Sequence, residues 1–200
     1  AIYGCLLGYD KISEEMKDDD LRKMIEIIGY KEGLPVVVNP GILDPQKFIK
    51  TVLEVRLPNP FMPDTPQRIA TDTSQKLAIR FGETIKAYMA SDKLDSANLE
   101  LIPLVFAGWL RYLMAVDDNG KTFEPSPDPM LSELSTYLKD VKWNEPDVEK
   151  KILPVLAKNE IFGVNLAEAG LLCKVVSYFK ELIAGEGAVR ATLHKYVSNN

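Results

Sequence analysis

Residues 99–116, LELIPLVFAGWLRYLMAV, constrain this chain more than any other stretch. The run is apolar nearly all round, and Glu100 and Arg111 are its only charges. A bilayer span needs about 20 predominantly apolar residues. A shorter segment with two charges is read as the central helix of a packed core. The rest of the chain must then supply elements with one apolar face to pack around it. Arg111, beside Trp109 and Tyr112, is the anomaly. A cation there must snorkel, pair or reach a cleft, and structural pairing is the favoured reading.

The 200 residues are 46% hydrophobic, enough to bury a sizeable core as one unit over 1–200. A net charge of −5 gives no basic footprint for nucleic acid or an anionic membrane. Cys5 and Cys173 stand far apart, each beside apolar residues. We read them as buried free thiols, not a disulfide or metal pair, which fits a reducing, cytoplasmic compartment. His194 is the single histidine, so a multi-histidine zinc site is excluded. The opening AIYGCLLGY is apolar at once, without methionine or a basic leader region, and reads as the interior of a helix belonging to a longer protein.

Helical periodicity recurs along the chain. Ile2, Cys5, Leu6 and Tyr9 make residues 1–17 the tail of a buried helix, and Asp18, Asp19 and Asp20 cap the next one, with Leu21, Met24, Ile25 and Ile28 on its face. Asp44-Pro45, Asp128-Pro129 and Glu145-Pro146 are three further helix starts. Gly82 reads as a break in the helix that resumes at Leu77. Asn165 with Glu168 forms a capping box for a last long helix, whose face runs through Val175, Phe179 and Leu182. Only residues 34–38 resemble a strand. The fold class is therefore all-α, with no phosphate-binding loop and no internal repeat.

Residues 56–76, RLPNPFMPDTPQRIATDTSQK, interrupt this pattern with four prolines and three cations. Proline and capping residues this dense fix a backbone without packing a core. Arg68 and Lys76 would lie ~12 Å apart along one continuous helix and ~80° around it. The intervening Thr71, Asp72, Thr73 and Ser74 favour caps over helix interior. We expect a break there, with Arg68 ending one short helix and Lys76 in the first turns of the next. The two cations could then converge on one oxygen-rich ligand, the guanidinium on a carboxylate and the ammonium on a hydroxyl. Alternatively both are solvated, with Asp64 or Asp72 as surface partners. The hydroxyl residues read as caps, since no histidine is near to activate them.

NPFMPDTPQRIATDTSQKL resembles the "NP…RIA.D.S.K" signature in the C-terminal domain of polyol-specific long-chain dehydrogenases, the mannitol dehydrogenase family. AGWLRYLMAVDDNGKTFEPSPDP resembles that family's "GW.RY..GVDE.G…E..DP" stretch. NEIFGVNL and the ending ATLHKYV follow in the same order, so the likeness covers nearly the whole chain. Within the family the pattern is most similar to the fructuronate reductase, or D-mannonate oxidoreductase, branch, and mannitol 2-dehydrogenase shares much of it.

The resemblance implies a multi-helical C-terminal domain whose partner is an N-terminal Rossmann domain that binds NAD. It also implies metal-free hydride transfer to or from a sugar acid or polyol held between the two. Arg68 and Lys76 fall at the family's two substrate-contacting positions. Asn59 and Pro60 match its "NP", read as shaping the cleft. The family's acid/base lysine, in the pattern K-x4-N-x2-H, is expected just before Ala1, which leaves no catalytic residue within 1–200. The competing reading is a stand-alone helical interaction module; a hydrolase is disfavoured, because one terminal histidine gives no nucleophile–base pair.

Overall fold

The computed structural model describes residues 1–200. Two short helices open the chain, α1 (Ile2–Leu6) and α2 (Ile12–Glu15), followed by α3 (Asp19–Ile27) and α4 (Pro45–Thr51). The proline-rich segment contributes α5 (Pro66–Ala70) and α6 (Thr73–Leu77), and α7 (Glu83–Met89) leads to α8 (Leu101–Tyr112). The second half comprises α9 (Leu131–Leu138), α10 (Glu149–Leu156), α11 (Asn159–Phe162), α12 (Leu172–Leu182) and α13 (Ala188–Ser198). There is no sheet; Val116 and Thr122 form one isolated antiparallel bridge. No helix is long and apolar enough to cross a membrane.

α8 is the axis of the fold. Every residue in it is buried except Val105, which is partly exposed. α12 packs along its length, and α1 lies across it with the Tyr3 hydroxyl donating to the Leu104 carbonyl at 2.9 Å. Phe106 meets Phe81 and Phe162 edge-on, at ring separations of 6.1 and 5.0 Å. The first turn of α8 would leave unpaired amides in the core. Buried Glu32 removes that problem, accepting from the amides of Glu100, Leu101 and Ile102 at 2.7, 2.7 and 2.8 Å.

Arg111 is fully buried and structural. Its guanidinium donates to the carbonyls of Leu182, Val116 and Asp117 at 3.2, 2.5 and 3.0 Å and lies 4.5 Å from the Trp143 ring centre. It therefore ties the end of α8 to the end of α12. Burial pulls its pKa down to about 10, and the nearby Asp118 and Asp117 charges act the other way.

Asp18 caps α3 as expected, accepting from the amides of Asp20 and Leu21. It also takes two bonds from Arg190, which fastens α13 to the start of α3. Burial pushes the Asp18 carboxyl up, but the bonds from Arg190, Tyr9 and the Leu21 amide outweigh it and bring the pKa down to about 2.

Several local expectations are corrected. Residues 1–17 are not one helix: the chain turns at Gly8, in the left-handed region, between α1 and α2. Residues 34–36 form a 3-10 turn, because Pro35 lacks the amide a ladder needs. Gly82 is no break; α6 runs into α7 through a π-turn, Ala78–Gly82. Its hydrogen atom is required instead by contact, since a Cβ there would sit 2.6 Å from the Phe162 carbonyl oxygen. Asn165 does cap, accepting from the Ala167 and Glu168 amides, but it caps a separate turn, and α12 starts only at Leu172. Cys5 is a buried thiol, while Cys173 is exposed, on the face of α12 opposite the core.

Candidate functional site

The predicted break in the proline-rich segment is present. Pro66 occupies the first helical position of α5, and the Thr65 hydroxyl caps it by accepting from the Arg68 amide at 3.1 Å. The chain then turns at Asp72, whose φ of 55° is left-handed, before α6 begins. Such a conformation in a non-glycine residue needs external support. The support comes from residues 112–128. The Asp72 amide donates to the Pro127 carbonyl at 2.9 Å. Asp128 caps α6 from across the fold, accepting from the Ser74 amide at 2.8 Å and the Ser74 hydroxyl at 2.6 Å. Ser126 donates to the Gln67 carbonyl at 2.7 Å and is itself held by the Tyr112 hydroxyl. The two long sequence motifs therefore interlock: the second is the mould in which the first is set.

Arg68 and Lys76 sit on the adjoining helices so produced, yet they line different cavities. Lys76 faces a cavity of about 310 Å³, lined mainly by apolar residues that include Met24, Ile28, Ile69 and Leu77, with Glu15, Thr73 and Arg80. Its ammonium donates to the carbonyls of Ile69 and Thr71, at the end of α5, so it is fixed in place with one donor to spare. Arg68 lies in an open groove of about 500 Å³ with Gln67, Thr71, Glu124 and Ser126. It pairs with Asp64, and its side chain is 64% exposed. Thr73 donates to the Ala70 carbonyl and Ser74 bonds Asp128, so both hydroxyls act as caps.

Two groups escaped the sequence reading. Asp128 was visible only as a helix start, and nothing in the sequence places it against Ser74. Glu15, one of two adjacent glutamates, is buried in the wall of the Lys76 cavity, and burial raises its pKa. Elsewhere, His194 Nδ1 lies 3.0 Å from Asp20, and Ser198 Oγ lies 3.5 Å from His194 Nε2. This string is exposed, and its Ser–His distance exceeds the reach of a nucleophile and its base. No group of three or more His, Cys, Asp or Glu side chains is arranged to hold a metal ion.

Comparison with known proteins places this architecture. The mannitol dehydrogenase C-terminal domain matches residues 1–183, and the chain belongs to that family. D-mannonate oxidoreductase from Thermotoga maritima is 53% identical over 198 residues, which is 98% of this chain and 36% of that protein. Mannitol 2-dehydrogenase from Emericella nidulans is 28% identical, with 97% of this chain and 36% of that protein covered. Among solved structures, Pseudomonas fluorescens mannitol 2-dehydrogenase, in a ternary complex with NAD and D-mannitol, superposes with a TM-score of 0.82. It is 23% identical and covers 100% of this chain, which spans 38% of it, so that likeness speaks for the fold. The chain thus spans little more than a third of its relatives' length.

Proposed function

We propose that residues 1–200 are the substrate-binding domain of an NAD-dependent oxidoreductase that interconverts a sugar acid or polyol and its keto form. The observation that carries this reading is the interlock of residues 112–128 with α5 and α6. It stiffens, through Pro66 and the Asp128 cap, the backbone that carries Arg68 and Lys76, the two residues the family resemblance assigns to substrate contact, whose side chains line separate cavities here. NAD, held by a preceding Rossmann domain, supplies or accepts the hydride. This chain supplies orientation: Arg68 offers a fork for a carboxylate and Lys76 a single donor for a hydroxyl, so binding is converted into alignment of the reacting carbon. A lysine, asparagine and histidine before Ala1 would handle the proton and the keto oxygen.

Fructuronate and D-mannonate are the preferred pair, because a guanidinium suits an acid better than neutral fructose and because the relative that is 53% identical bears the name D-mannonate oxidoreductase. Mannitol and fructose come next. The reading places the enzyme in the cytoplasm. It also gives an occupant for the arm between α3 and α5, which leaves Val38, Ile42 and Phe61 about nine-tenths exposed: the nucleotide domain would cover it.

The test is reduction by the full-length protein with NADH, against a panel of ketoses and keto-uronates. Fructuronate should be the best substrate, and no turnover with any of them would refute the enzyme reading. Arg68→Ala should raise KM for fructuronate far more than for fructose; an equal effect on both would remove the carboxylate role. The stand-alone interaction module predicts instead that no dinucleotide-binding βαβ unit is encoded upstream of Ala1.

A further inference from the structure

Pro63 and Pro66 flank Asp64 and Thr65, so the backbone before α5 has little freedom. It is also tied at two points. The Ile12 amide donates to the Asp64 carbonyl at 3.0 Å, and the Thr65 hydroxyl accepts from the Arg68 amide. The Asp64 carboxylate is therefore a fixed post. Its side chain is only 21% exposed, and its one polar partner is the Arg68 guanidinium.

Arg68 is the opposite, a long exposed side chain that would otherwise sample many rotamers. Asp64 takes a single guanidinium nitrogen, Nη2, while Nε and Nη1 make no hydrogen bond. A guanidinium carries five N–H donors, so two of them can still grip a second acid. The groove of about 500 Å³ that Arg68 opens on is lined by Thr71 and Glu124 but not by Asp64, which holds the guanidinium from outside it. Glu124 is the one acid in that lining, exposed and in no ion pair. Released from Asp64, the Arg68 cation has Glu124 as its alternative partner, and the fork would then be spent inside the groove.

We propose that Asp64 is a positioning residue: it holds Arg68 by one nitrogen, apart from Glu124, and leaves the rest of the fork for a substrate carboxylate. This rests on the oxidoreductase reading and deepens it, since Arg68 is there the carboxylate contact. Asp64 touches no reacting atom and acts only through Arg68. An exposed ion pair adds little to folding stability, but ordering a long side chain before the ligand arrives removes that cost from binding.

The experiment compares Asp64→Ala, which removes the grip, with Asp64→Asn, which keeps an acceptor oxygen without the charge, in the full-length protein. Reduction of fructuronate by NADH is measured at steady state, with neutral fructose as control and Arg68→Ala in parallel. Asp64→Ala should raise KM for fructuronate about fivefold, the cost of ordering one long side chain on binding. KM for fructose, and kcat for either substrate, should stay within about twofold of wild type. Asp64→Asn should bring the fructuronate KM back to within about twofold of wild type, and the urea midpoints of both variants should match it. A fructuronate KM unchanged or lowered in Asp64→Ala would overturn the positioning role. So would an Asn variant as impaired as the Ala variant, or an equal rise in KM for both substrates. In each of those cases a selective rise in Arg68→Ala leaves the oxidoreductase reading standing. A wild-type protein that reduces fructose alone would overturn the Asp64 role, and one that reduces neither would overturn both.

Discussion

Two regions of the core bury opposite charges in opposite ways. Where α8 meets α12, Arg111 is fully buried, with each guanidinium nitrogen bonded to a carbonyl and its face on Trp143. Where α2 meets α1, Glu15 is nearly as buried, yet one oxygen faces no partner. Desolvation penalises both charges, lowering the pKa of Arg111 and raising that of Glu15. The difference lies in compensation. A buried charge with a full set of partners is part of the scaffold, and removing it leaves those partners stranded. A buried charge left incomplete weakens the scaffold, and removing it should cost little.

The sharpest way to break this contrast is Arg111→Met. It should cost about 3–5 kcal/mol, because three inward-facing carbonyls lose their donor. A urea midpoint near wild type would show that the carbonyls find other donors. Asp128→Ala adds an intermediate case, a half-buried carboxylate with every partner in place. Loss of the cap on α6 should cost about 1–2 kcal/mol in the same unfolding experiment. If the proposed oxidoreductase reading holds, the same change should raise KM in the full-length protein, since Lys76 rides on that helix.

Next comes pH. The Asp18 pKa is lowered to about 2 from 3.8, so its contribution is present above pH 3.8 and lost as pH falls through about 2. Asp18→Asn should flatten the acid limb of the stability curve. Glu15 is raised above 4.5, so its sign is reversed: its contribution is present below pH 4.5 and lost as pH climbs through the folded value. Glu15→Gln should remove that fall and nothing at the acid end. The smallest effect is expected from Arg68→Ala, whose exposed pair with Asp64 should be worth under about 0.5 kcal/mol in unfolding. A larger loss would make Arg68 a structural residue and weaken its assignment to substrate.

Much of this architecture follows from local pattern. The core helix, the start at Pro45 and the Asp18 cap are set by residues close in sequence, and the break between Arg68 and Lys76 is signalled locally by Thr71, Asp72, Thr73 and Ser74 even though residues 112–128 hold it. The departures share a different cause. Gly82 looked like a helix break because its constraint, the Phe162 carbonyl, lies 80 residues away. Asp128 looked like an ordinary helix start because its partner Ser74 lies 54 residues back. Glu15 carried no signal, since nothing in ISEEM says which glutamate turns inward. Arg111 was flagged as anomalous by its apolar setting alone, but its carbonyl partners became visible only in three dimensions. Periodicity reports what a helix does to itself, and the candidate site is built from what separated helices do to one another.

The arm between α3 and α5 has a practical corollary. Val38, Ile42 and Phe61 are 87%, 93% and 92% exposed, a density of greasy side chains that water tolerates poorly. Produced on its own, the polypeptide should behave as a sticky colloid, with light scattering that climbs with concentration and falls when these three positions are made polar. Purification yield and crystal quality of residues 1–200 alone would be governed by this arm, even though the core beneath it is closely packed.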